Sequence, residues 1–207
     1  HMISAIKKLK RKKVGLVLFP ELSLTGYTCE DLFFTQQLHD SCNSALPRLI
    51  AATKNITAVI GVPWQTADGR LLNCALIASQ GKVCGLVPKL TQPNYAEFYE
   101  LRWFTSGADV CETVHHSELG SFQIDHRQIF DLGHAKFAVE ICEDLWAPQP
   151  PGTAHALAGA DFILNPSASN ELVGKADYRR DLVRMTSAQR LCAYLYASSG
   201  PTESTKD

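Results

Sequence analysis

Three side chains of this sequence have the chemistry needed for covalent attack on a carbon–nitrogen bond: Cys142, Glu21 and Lys89. A cysteine that attacks an amide or nitrile carbon must lose its proton, so it needs a general base such as Glu21. Attack on an amide places negative charge on the former carbonyl oxygen. Lys89 and backbone N–H groups around Cys142 and Glu143 could stabilise that charge. The three residue types predict a nucleophilic hydrolase, provided that the fold brings them together.

Each of the three residues comes just after, or at the end of, a short apolar run typical of a buried strand. In an α/β protein, binding and catalytic sites lie at the carboxyl ends of the strands. These side chains can therefore converge although they lie far apart in sequence. The acidic residues around the cysteine would raise its thiol pKa, and a nucleophile there would need a nearby cation. The three runs are 14–19, 83–87 and 137–141, and the acidic neighbours are Glu140, Glu143 and Asp144.

The elements that must position these residues alternate between strands and helices. The remaining predicted strands are 58–62, 74–78, 162–165 and 194–197, with a hairpin turn at 79–82. The apolar spacing predicts helices over 41–54, 154–160 and 175–191. This pattern indicates an α/β fold with a mixed sheet covered by helices on one side and by a second sheet on the other.

Composition narrows the class of protein. The 207 residues are 45% hydrophobic and 20% charged with a net charge of −1, which is typical of a globular protein and favours neither nucleic acid nor a membrane as partner. No apolar run is long enough to cross a bilayer. Seven scattered cysteines without a C-x-x-C pair favour reduced thiols in a cytoplasmic protein and give no zinc site.

Two other clusters admit a functional interpretation. The basic run 7–13 is compatible with nuclear localisation or nucleic-acid binding, but we favour a solvated helix end. His115 and His116 could suggest a metal, yet adjacent side chains point apart and no third ligand is placed to help, so no metal site is expected. No G-x-G-x-x-G, P-loop or G-x-S-x-G motif occurs in the sequence. It therefore predicts none of the familiar loops that bind a dinucleotide or ATP.

Three longer motifs carry a family resemblance. They are Phe-Pro-Glu-Leu-Ser-Leu-Thr-Gly-Tyr at 19–27, the segment 89–104 that begins Lys-Leu-Thr-Gln-Pro-Asn-Tyr, and Glu-Ile-Cys-Glu-Asp-Leu-Trp at 140–146. They resemble the glutamate, lysine and cysteine motifs of the nitrilase, or carbon–nitrogen hydrolase, superfamily and occur in the same order. The resemblance spans nearly the whole chain and implies a nitrilase-like α-β-β-α sandwich with Cys142, Glu21 and Lys89 as the catalytic residues.

The closer resemblance is to the N-terminal glutaminase domains of glutamine-dependent NAD⁺ synthetases. It rests on 93–104, on Glu-Asp-Leu-Trp at 143–146 and on Asn-Pro-Ser-Ala-Ser at 165–169 with Gly-Lys behind it. This implies hydrolysis of glutamine through a thioester on Cys142. The ammonia would pass to a separate synthetase domain, which amidates nicotinic acid adenine dinucleotide. No cofactor is implied for the glutaminase domain itself, because ATP and Mg²⁺ belong to that synthetase domain.

The same resemblance implies further site residues. Glu100 matches an additional glutamate that orients the lysine and the base. Five residues fall where these glutaminases line the glutamine pocket, namely Tyr27, Tyr95, Glu143, Ser169 and Lys175. From the residues alone, each tyrosine is equally compatible with a packing role, Glu143 with a solvent-facing helix start, and Lys175 with an ordinary surface lysine.

The chain boundaries lead to further expectations. Residues 1–2 are interpreted as a cloning scar, and 3–207 as a hydrolase domain truncated at both ends, with the synthetase domain absent. Unpaired sheet edges and the family resemblance both favour a homo-oligomer. Two alternatives to the glutaminase interpretation remain: a stand-alone amidase or nitrilase, and a fragment that is not catalytically competent.

Overall fold

The computed structural model describes residues 1–200, with ten strands and four helices among them. The strands are β1 Leu16–Leu18, β2 Thr57–Gln65, β3 Leu71–Ser79, β4 Lys82–Pro88, β5 Cys111–His116, β6 Gly120–Asp125, β7 Phe130–Asp131, β8 Lys136–Val139, β9 Phe162–Ser167 and β10 Ala193–Ser198. The helices are α1 Met2–Arg11, α2 Gln36–Ala51, α3 Gly152–Leu157 and α4 Lys175–Arg190. Short 3-10 turns span Glu30–Phe34, Glu100–Arg102 and Cys142–Leu145.

The strands form two mixed sheets. The larger sheet has the order β1-β2-β3-β4-β6-β5, in which β1 and β2 run parallel and β2, β3 and β4 are antiparallel neighbours. The smaller sheet has the order β10-β9-β8-β7, and its first three strands are parallel. The β3–β4 hairpin turns at Gln80 and Gly81, which both have positive φ, as a tight hairpin requires.

The two sheets pack face to face through an apolar layer. Val59, Ile77 and Val87 of the larger sheet belong to one buried cluster with Phe137 and Leu164 of the smaller sheet. On the other side of the larger sheet, α1 and α2 contribute to a separate buried cluster, and α3 and α4 contact the strands of the smaller sheet. The architecture is the α-β-β-α sandwich expected from the sequence.

All seven strands and three helices predicted from the sequence are present, with ends shifted by a few residues. The helix expected at 41–54 begins five residues earlier, at Gln36, and the strand expected at 137–141 ends at Val139. Strands β5, β6 and β7 were not predicted, because they are short and form no apolar run; in β6 the buried Phe122 and Ile124 alternate with exposed or partly buried side chains. The end of the polar tail, 201–207, lies outside the described residues.

Two further features bear on function. Within residues 1–200, no helix is long and apolar enough to span a membrane, and no group of three or more His, Cys, Asp or Glu side chains is arranged to hold a metal ion. His115 and His116 lie on β5, where His115 Nδ1 pairs with Ser121 Oγ at 2.8 Å and His116 Nδ1 accepts hydrogen bonds from backbone N–H groups of the following turn. All seven cysteines are free thiols.

Candidate active site

The loop that carries Glu21 passes very close to the neighbouring strand β2. An added Cβ at Gly61 would lie 2.2 Å from the backbone nitrogen of Leu22 and 2.5 Å from the carbonyl oxygen of Pro20, so only glycine leaves room for this crossing. Leu22 itself has a positive φ of 49°, which turns the chain sharply after the glutamate. The loop therefore folds Glu21 back beneath the end of the sheet, where it is 1% exposed.

The buried Glu21 carboxylate is held by three donors. Its Oε1 accepts hydrogen bonds from Lys89 Nζ at 2.6 Å and from Asn73 Nδ2 at 2.7 Å, and its Oε2 accepts one from the Ala168 N–H at 2.9 Å. These donors come from β3, from the end of β4 and from the end of β9, so both sheets fix the position of the carboxylate. Sequence reasoning missed Asn73, since an asparagine inside a strand carries no local signal of a partner 52 residues away.

Lys89 is fully buried between two carboxylates. Besides Glu21, its Nζ contacts both oxygens of Glu100, at 2.8 and 2.9 Å. Burial alone would lower the pKa of Lys89, but the charges of Glu100 and Glu21 outweigh burial and hold that pKa well above its ordinary value. Burial raises the pKa of Glu100 above its ordinary value, although Lys89 opposes the shift. The lysine is therefore a permanent cation, fixed in position by its two acidic partners.

Cys142 stands where the chain leaves the smaller sheet. It begins the 3-10 turn Cys142–Leu145 and has a φ of 46°, in the left-handed region that a residue with a Cβ rarely occupies. Such backbone strain persists only where the surrounding structure holds it, and it is found most often at functional sites. The thiol is 5% exposed and faces the same region as Glu21 and Lys89, which both act on it electrostatically.

The electrostatic surroundings of the thiol oppose its spontaneous ionisation. Burial, followed by the charge of Glu21, raises the pKa of Cys142 far above its ordinary value, while Lys89 opposes this effect. The group is therefore a thiol at rest, and a nucleophilic role would need a base to remove its proton.

Asp144 connects the lysine loop to the cysteine loop. Its Oδ1 accepts hydrogen bonds from the N–H groups of Leu90 and Thr91 at 3.0 and 2.8 Å, and its Oδ2 accepts one from Ile141 at 2.9 Å. Burial raises its pKa to about 7, although these backbone donors and Lys89 oppose the shift. The sequence placed Asp144 among the acidic neighbours of the thiol, but it did not reveal this connection.

A cavity of about 260 Å³ opens beside the thiol. Four of the five residues expected to line a substrate pocket do line this cavity: Tyr95, Glu143, Ser169 and Lys175. Sequence reasoning missed its other lining residues, which are Pro93, Phe98, Trp146 and Tyr178. A small cavity with a nucleophile at one wall suits a compact polar substrate.

The cavity carries opposite charges on its walls. Glu143 accepts hydrogen bonds from the Tyr95 hydroxyl at 3.0 and 3.1 Å, and Lys175 Nζ lies 5.4 Å from the centre of the Trp146 ring. Lys175 also donates to Asn170 Oδ1. The hydroxyl of Ser169 is buried in the cavity wall, close to the hydroxyl of Tyr196.

Tyr27 is placed differently from the other predicted pocket residues. It is 6% exposed, and its hydroxyl donates a 2.6 Å hydrogen bond to Glu100 Oε1 rather than facing the cavity. Burial and the nearby Glu100 charge raise its pKa well above the ordinary value, so it remains a neutral donor. The geometry gives Tyr27 a role in holding Glu100, while its predicted contact with substrate stays a prediction.

A thiol at a strained strand end, with a buried glutamate and lysine beside it, is the arrangement that a cysteine hydrolase would need. The carbon–nitrogen hydrolase family model matches residues 1–201, and the chain belongs to this family. Its resemblance to the nitrilase-like part of glutamine-dependent NAD⁺ synthetases is also confirmed. It is 37% identical over 205 residues to the glutamine-dependent NAD(+) synthetase of Mycobacterium tuberculosis and 38% identical over 200 residues to that of Mycobacterium leprae.

Those alignments cover 93% and 94% of this chain but 29% of each relative, so the chain spans less than a third of their length. Among solved structures, a glutamine-dependent NAD(+) synthetase from Cytophaga hutchinsonii superposes with a TM-score of 0.84 at 32% identity, covering 95% of this chain and 32% of that one. An amidase from Nesterenkonia superposes with a TM-score of 0.75 at 18% identity, covering 95% of this chain and 67% of that one, which supports the fold alone.

Proposed function

We propose that this chain hydrolyses the side-chain amide of glutamine through a thioester on Cys142. The observation that carries the proposal is the convergence of the buried Cys142, Glu21 and Lys89 beside a small cavity with an acidic wall and a basic wall. A free amino acid presents an ammonium and a carboxylate at one end and its amide at the other. Glu143 and Lys175 supply the two opposite charges that such a substrate needs.

In the first half of the reaction, the sulfur of Cys142 attacks the amide carbon while Glu21 accepts the thiol proton. The oxygen of the amide gains negative charge, which the Lys89 ammonium and N–H groups at the start of the 3-10 turn stabilise. When the tetrahedral intermediate collapses, the carbon–nitrogen bond breaks and the protonated Glu21 returns its proton to the nitrogen, so that ammonia leaves and a thioester remains.

The second half of the reaction reverses these roles. Glu21, again a carboxylate, removes a proton from a water molecule as its oxygen attacks the thioester carbon. Collapse of the second intermediate breaks the carbon–sulfur bond, and the sulfur regains a proton from Glu21, releasing glutamate. Glu100 touches neither the sulfur nor the amide in this scheme, but it keeps the Lys89 ammonium in position through its two short contacts.

We further propose that the ammonia serves a synthetase domain of a longer chain, where ATP and Mg²⁺ support amidation of nicotinic acid adenine dinucleotide. Support comes from the relatives, which are glutamine-dependent NAD⁺ synthetases of more than three times this length. A cytoplasmic location and a homo-oligomer remain parts of this proposal.

The test is intact-mass analysis after incubation with a diazo-ketone analogue of glutamine. We expect a single covalent adduct on the native chain and none on Cys142→Ala. A folded native chain that forms no adduct would contradict the proposal. A panel of simple amides and nitriles, assayed for ammonia release, separates the glutaminase from a stand-alone amidase of the same family, because only the glutaminase needs the charged end of the substrate.

A further inference from the structure

Asn73 is a buried amide on β3, an interior strand of the larger sheet. It is 1% exposed, and its Nδ2 donates a 2.7 Å hydrogen bond to Glu21 Oε1. Within residues 1–200, its buried Oδ1 has no hydrogen-bond partner. An unpaired buried acceptor costs stability, so its presence in a folded protein calls for a reason. We look for that reason in what the other end of the same amide does to Glu21.

The amide of Asn73 has one orientation that suits its neighbour. In the reverse orientation, two acceptors would face each other across the 2.7 Å that separates Asn73 from Glu21 Oε1. The backbone on which the amide stands is fixed on both sides, because Asn73 pairs with Pro63 on β2 and its carbonyl oxygen accepts the Lys89 N–H at 2.8 Å. An amide does not titrate, so Asn73 presents an N–H to Glu21 whether that carboxyl is charged or protonated.

The two oxygens of Glu21 have different numbers of donors. Each oxygen of a carboxylate has about two lone-pair sites. Oε1 fills both, one with Lys89 Nζ at 2.6 Å and one with Asn73 Nδ2 at 2.7 Å. Oε2 has one donor within residues 1–200, the Ala168 N–H at 2.9 Å. A proton that reaches this carboxylate therefore finds a vacant lone pair on Oε2 and none on Oε1.

The two oxygens are also held from different sheets. The donors to Oε1 come from β3 and from the end of β4, which both belong to the larger sheet. The donor to Oε2 is Ala168, which follows β9 of the smaller sheet. Cys142 follows β8, the parallel neighbour of β9. The vacant lone pair thus belongs to the oxygen that is held from the sheet that also carries the thiol.

We propose that Asn73 is a positioning residue that makes Oε2 of Glu21 the proton carrier of the reaction by keeping Oε1 occupied. The inference rests on the proposed role of Glu21 as the base. In the first half of the reaction, the thiol proton moves from sulfur to Oε2 and then to the leaving nitrogen. In the second half, a proton of water moves to Oε2 and then to the sulfur.

Asn73 also keeps the carboxyl in place when the charge of Glu21 is lost. Once Oε2 carries a proton, the attraction between Glu21 and Lys89 weakens. The hydrogen bond from Asn73 depends far less on that charge, so it continues to hold Oε1. Lys89 can then turn an N–H toward the oxyanion without a rotation of the carboxyl that would carry the proton away from the substrate.

Asn73→Asp converts this permanent donor into one that depends on pH. When the introduced carboxyl is protonated, its O–H can replace the amide as donor to Oε1, while the Lys89 ammonium at 2.6 Å keeps the negative charge on Glu21. When the introduced carboxyl ionises, the donor is lost and two carboxylates face each other. Two carboxyl groups that share a site have one strongly raised pKa, so this ionisation should fall within the pH range in which activity can be measured.

Other titratable groups act on Glu21, and all of them are present in every variant. They are Tyr27, Lys89, Glu100 and Cys142. The pKa values of Tyr27, Lys89 and Cys142 are raised, so these groups stay protonated up to pH 9. Burial raises the pKa of Glu100 to about 7, so it changes its protonation within the range of the experiment. The ratio of a variant to the native chain at each pH removes this shared contribution.

The experiment measures kcat for ammonia release between pH 5.5 and 9, with saturating glutamine or with the amide that the native chain hydrolyses fastest. For Asn73→Asp, the ratio of kcat to the native value should lie within about threefold of one at the acid end and fall by about tenfold or more toward pH 9. Asn73→Leu has a similar volume but no donor. It should lower kcat by about tenfold to a hundredfold at every pH and change KM by less than about threefold. Asn55→Asp, at an exposed position, controls for the added charge.

A constant ratio in Asn73→Asp, or a native kcat in Asn73→Leu, would overturn the proposal. So would a loss of activity at high pH that does not return on acidification, because it reports unfolding. If one of the two variants does not fold, the other decides. A native chain that forms the adduct with the glutamine analogue while the ratio stays constant sinks this inference and leaves the proposed function standing. A folded native chain that forms no adduct and releases no ammonia from any amide sinks both.

Discussion

Both carboxylate oxygens of Glu100 accept hydrogen bonds from the ammonium of Lys89, at 2.8 and 2.9 Å, while the third close contact of that ammonium goes to Glu21 at 2.6 Å. An ammonium has three N–H donors, and all of them have acceptors in the resting site. In the proposed reaction, Glu21 loses its charge when it takes the thiol proton, and its hold on Lys89 then weakens. Proton transfer to the base and release of an N–H toward the developing oxyanion are thus coupled through one lysine.

Glu100→Gln should lower kcat for glutamine hydrolysis by about tenfold to a hundredfold with little change in KM, because the lysine loses the partner that orients it but the substrate pocket is untouched. Steady-state kinetics check this. Tyr27→Phe is the matched control, since it removes one hydrogen bond to the same carboxylate without removing its charge, and should cost only about fivefold. Equal effects of the two substitutions would contradict the role assigned to Glu100.

Glu143→Gln should raise KM for glutamine by about tenfold to a hundredfold, since a charge-assisted hydrogen bond to the substrate ammonium is lost. The chemical step should change far less, because Glu143 lies in the cavity wall and outside the contacts of Lys89 and Glu21. A fall in kcat with unchanged KM would exclude Glu143 from substrate binding. Glu118→Gln, an exposed change on the turn after β5, provides the control with an equal loss of charge.

Gly61→Ala should destabilise the fold by about 1–3 kcal/mol, because the new Cβ collides with the backbone of the Glu21 loop and the loop must move. Urea denaturation measures the loss of unfolding free energy. The matched control is Gly15→Ala, where an added Cβ meets nothing within 4 Å. If Gly61→Ala and Gly15→Ala unfold at the same urea concentration, the close crossing of this loop over β2 is wrong.

His155 contributes a loss of stability on acidification, while the raised pKa values of Glu100 and Asp144 act in the opposite direction. Its ring is 3% exposed, its Nε2 pairs with the carbonyl of His126 at 2.8 Å, and burial lowers its pKa below the ordinary value of 6.5. The unfolded chain therefore binds a proton at a higher pH than the folded chain does. The stability that a neutral His155 provides is present above about pH 6.5 and is lost as pH falls from there toward the folded pKa.

The measurement is the urea midpoint at pH 7.5 and at pH 5.5. His155→Gln should raise the midpoint at pH 5.5 relative to that at pH 7.5, compared with the native chain, because glutamine does not titrate. His134→Gln, at an exposed position, should leave the two midpoints related as they are in the native chain. The same relation between the midpoints in His155→Gln as in the native chain would contradict the role assigned to His155.

The grouping of Cys142, Glu21 and Lys89 could be predicted from the sequence because each follows an apolar run that identifies a strand end, and strand ends in one layered fold meet; their catalytic roles stay predictions. The same argument failed for Asn73 and Asn165, whose side chains act across 52 and 29 residues with no local pattern to announce a partner. Strands β5 and β6 escaped detection because each has only six residues and no continuous apolar run, and their pairing with each other and with β4 leaves no signal in so short a segment.

Asp144 links the positions of Lys89 and Cys142 in a way that apolar packing between the two sheets alone would not. Lys89 follows a strand of one sheet and Cys142 follows a strand of the other, and the two sheets contact each other through apolar side chains. The three backbone hydrogen bonds to one carboxylate join these two strand ends. These bonds tie the loop after β4 to the turn that begins at Cys142, so a displacement of one sheet against the other would carry Lys89 and Cys142 together.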